Sequence, residues 1–209
     1  MRPLSAVAVL VITALGLVAP AVAGPLFAAR AAMAPPIVVR VCAACHGRDG
    51  NSVEPNIPSL AGQVAPYLER QLIAFKTARR TGVMSGVSMG LSEADMRMAA
   101  SWFAQQVAQA NPDPWPDSRA LARGAAIYRR GIAGKNVPAC ASCHALRGGG
   151  LPPEFPRLAG QHAQYLEAQL RAFRAGSRLS NPNAMMRDIS ARLSDPEINK
   201  VTLYIADLH

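Results

Sequence analysis

Four cysteines and two histidines carry the chemistry of this 209-residue chain. They stand as Cys42-Ala43-Ala44-Cys45-His46 and Cys140-Ala141-Ser142-Cys143-His144. Both are C-x-x-C-H, the spacing by which a c-type haem is attached. Two thiols add to the two vinyl groups on one porphyrin edge, and the adjacent imidazole binds iron through Nε2. The motifs therefore predict two haem c groups, held covalently by Cys42, Cys45, Cys140 and Cys143, with His46 and His144 on the irons. Three other uses of paired cysteines fit less well. A thioredoxin-like dithiol needs a strand–helix setting, and none is apparent here. A Cys₄ zinc site would have to bridge the 94 residues between Cys45 and Cys140, far beyond ribbon spacing. Plain disulfides give no reason for a histidine after each pair.

A haem bound by one histidine takes a second ligand or keeps an open position, and that choice separates carriers from enzymes and gas binders. Methionine is the candidate here. Met84 lies seven residues before Leu91, and Met186 lies seven before Leu193. They match each other in the two halves, in what reads as a loop between the haem motif and the last helix. Core packing is the alternative use of any single methionine, and Met185 competes with its neighbour Met186. Two filled axial sites suit outer-sphere electron transfer and suit catalysis badly.

The elements that must position these residues form an internal repeat. At an offset of 98, Cys42 matches Cys140, and Pro58-Ser59-Leu60-Ala61-Gly62-Gln63 matches Pro156-Arg157-Leu158-Ala159-Gly160-Gln161. Tyr67, Gln71, Phe75 and Arg80 match Tyr165, Gln169, Phe173 and Arg178. The offset then becomes 102, so the second copy has gained four residues before its methionine region. Apolar residues recur at helical spacing over 65–78 and 163–175. Ser92 with Asp95, and Ser194 with Glu197, are capping boxes that open the last helix of each half. Residues 117–131 read as the opening helix of the second half. The Gly- and Pro-rich stretches after each C-x-x-C-H read as loop, and no strand is expected. The fold class expected is all-α, with two tandem units each wrapped round one haem. The boundaries are 24–110 and 119–209, with the proline-rich segment 111–118 as linker.

The bulk composition agrees with export. Residues 1–23 have a positive start, an apolar run and Ala21-Val22-Ala23 before Gly24, the pattern of a cleaved signal peptide. An uncleaved anchor is the alternative, with peripheral association of the rest of the chain with the membrane. Half the residues are hydrophobic but only 5% are aromatic, and two porphyrins would supply the missing apolar mass. Without residues 1–23 the chain keeps 21 basic and 13 acidic residues, a formal +8. Four propionates would lower that to about +4. The arginines are scattered, which argues against nucleic acid and for propionate contacts and an acidic protein partner.

Taken together, these motifs resemble the dihaem cytochromes c of the cytochrome c4 family. The resemblance covers essentially the whole chain after residue 23. It rests on the haem motif with Gly47 and Asp49-Gly50-Asn51-Ser52, both Leu-Ala-Gly-Gln segments, both Leu-Ser helix starts, and Tyr204-Ile205-Ala206-Asp207-Leu208-His209 at the end. It implies two tandem class I cytochrome c domains packed face to face, with ligand pairs His46/Met84 and His144/Met186. It implies that the carbonyls of Pro58 and Pro156 accept a hydrogen bond from the ligand histidines' Nδ1. It makes Arg80 and Arg178 candidate propionate partners, the alternative being solvated arginines at helix ends. One departure concerns the glycine that lets the opening helix cross the last one. The second half has Gly124 for this, whereas the first half has Ala34-Pro35-Pro36-Ile37, so its opening helix is expected to be short or displaced. His162 and His209 are expected at a surface or an interface. The functional expectation is a periplasmic electron carrier, not an enzyme, from a quinol-oxidising complex to a terminal oxidase. A haem subunit of a dehydrogenase is the second reading, and a dihaem peroxidase the third.

Overall fold

Each half of the chain is organised by helices too short to be stable on local propensity, so packing must hold them. A computed structural model describes residues 33–110 and 118–208. The expected signal peptide, most of the linker and His209 lie outside the described residues.

The first half opens with a π-helical turn, Val38–Cys42, that runs without a break into α1 (Ala43–His46). A loop leads to α2 (Ala65–Lys76), then α3 (Val83–Met89) and α4 (Glu93–Ala104). The second half repeats this order, preceded by a full opening helix. It comprises α5 (Ser118–Arg130), α6 (Ala141–His144), α7 (Ala163–Arg174), α8 (Met185–Ala191) and α9 (Asp195–Ala206). The helix α5 begins at Ser118, the last residue expected in the linker. Among the described residues the only β pairing is two isolated bridges, Ile132 with Val137 and Leu151 with Phe155. Residues 34–209 form one compact unit.

The repeat's helix starts are chemically the same. Ser92 Oγ accepts from the Asp95 backbone N–H at 3.1 Å, and the Asp95 carboxylate accepts from Ser92 N at 3.0 Å. Ser194 and Glu197 form the same box. Each satisfies N–H groups that the first helical turn leaves without partners.

The opening helices differ, and glycine explains the difference. In α5, Gly124 lies against α9: a Cβ there would sit 2.6 Å from Tyr204 Cβ and still closer to the Lys200 carbonyl oxygen. Only the missing side chain lets the two helices approach this closely. Ile127, Tyr128, Val201, Tyr204 and Ile205 close the core around that crossing. The first half has Pro35 and Pro36 instead. Among the described residues its opening segment is short, and Val38, fully buried, packs with Ala99, Ala100 and Phe103 of α4.

Candidate haem-binding site

The haem motifs sit where a short helix meets a loop in both halves. Cys42 and Cys140 are the residues immediately before α1 and α6, and His46 and His144 end those helices. Both histidines are buried. His46 Nδ1 lies 2.9 Å from the Pro58 carbonyl oxygen, and His144 Nδ1 lies 2.9 Å from that of Pro156. This contact fixes the ring and leaves Nε2 as the free nitrogen, the one a metal would take. Burial holds both imidazoles below the usual histidine value, against the opposing pull of the proline carbonyls. A neutral imidazole is the form that binds a metal.

The four thiols form no disulfide. Burial pushes the Cys42 and Cys140 thiols up to about 11, so neither is a reactive thiolate at neutral pH. Among the described residues no three His, Cys, Asp or Glu side chains converge to hold a metal ion. The C-x-x-C-H pairs stay separate, one per half.

Met84 and Met186 occupy the first turns of α3 and α8, not a loop as the sequence suggested. The dipeptides around them carry no proline, so a short helix forms and packs on α2 and α7 respectively. Both methionines are half-buried. Their rivals are more open: Met185 is 37% exposed and Met89 is 63% exposed.

Arg80 and Arg178 are not solvated helix-end arginines. Both are buried, at the centre of the contact between the halves. Arg80 donates to Gln71 Oε1 in its own half at 3.0 Å, and across the interface to Gln169 Oε1 at 2.8 Å and Tyr165 Oη at 2.7 Å. Arg178 mirrors this, donating to Gln169 Oε1, to Gln71 Oε1 and to Tyr67 Oη, each at 2.9 Å. Each guanidinium lies over a phenyl ring, Arg80 at 4.5 Å from the Phe75 centroid and Arg178 at 4.4 Å from Phe173. Burial would push the Tyr67 phenol up, but the guanidinium groups of Arg178 and Arg80 outweigh it and hold the phenol below its usual value. The cluster holds two buried cations and, among the described residues, no carboxylate forms an ion pair with either. A buried cation without an anion is costly. Haem propionates are anions that a pair of such guanidiniums would hold, so the residues present fit the group.

The surrounding contact is built from the repeated Leu-Ala-Gly-Gln segments. Gln63 Nε2 donates to the Arg157 carbonyl at 2.9 Å, and its Oε1 accepts from Arg157 N at 2.8 Å. Gln161 does the same to Ser59 of the first half. His162, fully buried, places Nε2 2.9 Å from the Ser52 carbonyl oxygen in the other half. It is an interface histidine, and its counterpart Val64 cannot make that bond. The roles of Tyr67, Gln71, Gln63 and their partners were not assigned from sequence. Their signal was present: each is preserved at the repeat offset.

The comparisons with known proteins agree with this geometry. The cytochrome c family profile matches residues 36–110 and 121–209, once in each half. A cytochrome c4 of Pseudomonas aeruginosa is 41% identical over 175 residues, covering 81% of this chain and 84% of its own. The chain belongs to the cytochrome c4 family. The solved structure of reduced recombinant cytochrome c4 from Pseudomonas stutzeri matches it with a TM-score of 0.77 at 37% identity, over 82% of this chain and 95% of that one. A thiosulfate dehydrogenase electron acceptor of Thiomonas intermedia is 36% identical over 177 residues, covering 84% of this chain and 81% of its own. As a cytochrome c4 relative the chain is all-α, carries two haems and transfers electrons.

Proposed function

We propose that this is a periplasmic carrier that takes electrons from a quinol-oxidising complex and delivers them to a terminal oxidase. His46 with Met84, and His144 with Met186, hold the two irons in this reading. The observation that carries it is the paired arrangement: a buried histidine locked on a proline carbonyl, and a half-buried methionine in a matched short helix, in each half. Haem supplies a one-electron couple. The chain's own residues do the rest. Pro58 and Pro156 keep each imidazole ring from turning. Met84 and Met186 would supply the second protein ligand to each iron and so leave no place there for a substrate. Arg80 and Arg178 would hold the propionates and, as buried cations, would disfavour the extra positive charge of an oxidised iron. Residues 1–23 direct export and are then removed, which places the donor and acceptor at the outer face of the inner membrane.

The relative in Thiomonas intermedia supports a second reading, in which the donor is a dehydrogenase rather than a quinol-oxidising complex. Reduction of the purified protein by isolated membranes with a quinol, compared with reduction by a thiosulfate dehydrogenase, separates the two.

The ligand reading is tested by redox-titrated optical spectroscopy of the purified protein. The oxidised protein should show the far-red charge-transfer band of a methionine-bound haem. Met84→Ala and Met186→Ala should each remove about half of it. A band unchanged in both variants would overturn the assignment.

A further inference from the structure

The two halves share a fold and a cofactor, yet they differ in charge. Residues 34–110 hold seven basic and five acidic side chains, a net +2. Residues 118–209 hold thirteen and six, a net +7. Much of the excess lies on α5, which has no counterpart of that length among the described residues of the first half. Its sequence, SRALARGAAIYRR, contains four arginines and no acid. Gly124, Ile127 and Tyr128 turn inward, while Arg123, Arg129 and Arg130 are exposed. Arg129 lies 5.6 Å from the Tyr204 ring centroid. Arg123 and Arg130 meet no carboxylate among the described residues. Arginines in a last turn complement the helix dipole, but Arg123 is mid-helix and gains nothing from that.

This helix is fixed to the haem motif of the second half at two points. Gly131, with a φ of +71°, lies where a Cβ would be 2.7 Å from the Pro138 carbonyl carbon and 2.8 Å from Ala139 N, directly before Cys140. Tyr128 Oη donates to the Ala145 carbonyl at 2.6 Å, directly after His144. The next two residues are Leu146, 64% exposed, and Arg147, also exposed. At the matching positions the first half has Arg48 and Asp49, so the apolar centre is absent there and the charge is reversed.

We infer that Arg123 and Arg130 of α5, with Leu146 and Arg147, form a docking face for an acidic protein partner, so that the partner meets the second haem. An exposed apolar residue beside Arg147, on a segment tied through Tyr128 to a helix with two further exposed cations, has the build of a transient interface, with charge steering the encounter and the apolar residue seating it. A membrane surface is the less suited anion. The exposed side of α5 carries no large apolar residue to insert below the headgroups. The inference rests on the electron-carrier reading only in taking the partner to be a redox protein.

The test uses the haem-loaded, isotope-labelled protein and poly-L-glutamate as the acidic probe. Chemical shifts should move around Arg123, Arg130 and Leu146, and the binding should weaken steeply with salt. The variant R123E/R130E/R147E should bind about tenfold or more weakly. The control R40E/R48E/R97E makes the same change in net charge on the first half and should stay within about threefold. R123Q/R130Q/R147Q should fall between them and guards against misfolding of the reversed variant. Equal weakening in both reversed variants would show that net charge acts without a face, and would overturn the inference. So would binding to phosphatidylglycerol-containing vesicles that depends on the same arginines while poly-L-glutamate does not bind. A reversible optical redox titration of every variant tests the carrier reading separately. Its loss, with the probe still bound at α5, would refute that reading and leave the face standing.

Discussion

The side-chain amide of Gln161 pairs with the backbone of Ser59 in the other half, accepting from its N–H at 3.0 Å and donating to its carbonyl at 2.9 Å. Gln63 makes the mirror-image pair with Arg157. These two clamps hold together the loops that also orient His46 and His144. Gln63→Ala and Gln161→Ala should each cost about 2 kcal/mol, because truncation leaves a backbone donor and acceptor unpaired at the interface. Denaturant unfolding followed at the haem bands should show it. The doubly substituted protein should lose the single cooperative transition and unfold in two steps, one per half.

Gly124 gives a sharper, one-sided prediction. Gly124→Ala would force α5 away from Lys200 and Tyr204 on α9. The expected cost is about 3 kcal/mol, the upper range for an overpacked core. Thermal unfolding should start in the second half, with the environment of its haem changing before that of the first.

The buried guanidinium pair predicts a redox effect. An oxidised iron carries one more positive charge than a reduced one, so a nearby cation raises the potential. For a separation of roughly 10 Å and an effective dielectric constant of about 20, the interaction is about 1.7 kcal/mol. Arg80→Gln should therefore lower the potentials by about 50–100 mV in a spectroelectrochemical titration, whereas Arg80→Lys should preserve most of the original value. No change would mean that the arginine does not sense the haem, and a rise would overturn the sign of the effect.

The caps predict how stability depends on acid. Burial would raise the Glu197 carboxyl, but its bonds to Lys135 and Ser194 outweigh that and hold it below the usual range. A carboxyl depressed in the folded state contributes stability above its unfolded value, and that contribution is lost as pH falls through the folded one. Ser194→Ala should cost about 1 kcal/mol near neutral pH. The difference between variant and parent should shrink in acid, below about pH 4, as measured by urea unfolding at the two pH values.

Local chemistry was legible in the sequence because it acts over a few residues. The cap boxes at Ser92 and Ser194 and the helices over Ala65–Lys76 and Ala163–Arg174 follow from spacing or the repeat, and the glycine crossing at Gly124 follows from the family resemblance. What joins the halves was not legible. Arg80 reads alone as a helix-end cation, since nothing within its own segment says that Tyr165 and Gln169 will surround it. The helical setting of Met84 and Met186 was missed for a related reason: a seven-residue helix is set by what it packs on and leaves little periodicity to read.

Gln71 Oε1 takes a hydrogen bond from Arg80, from Arg178 and from Ser180. One side chain in the first half thus solvates a cation from each. The duplicated units can no longer drift apart in evolution as independent modules. A substitution that retunes one redox centre is felt at once by the other, and neither half could be shed without stranding a charge in the one that remained.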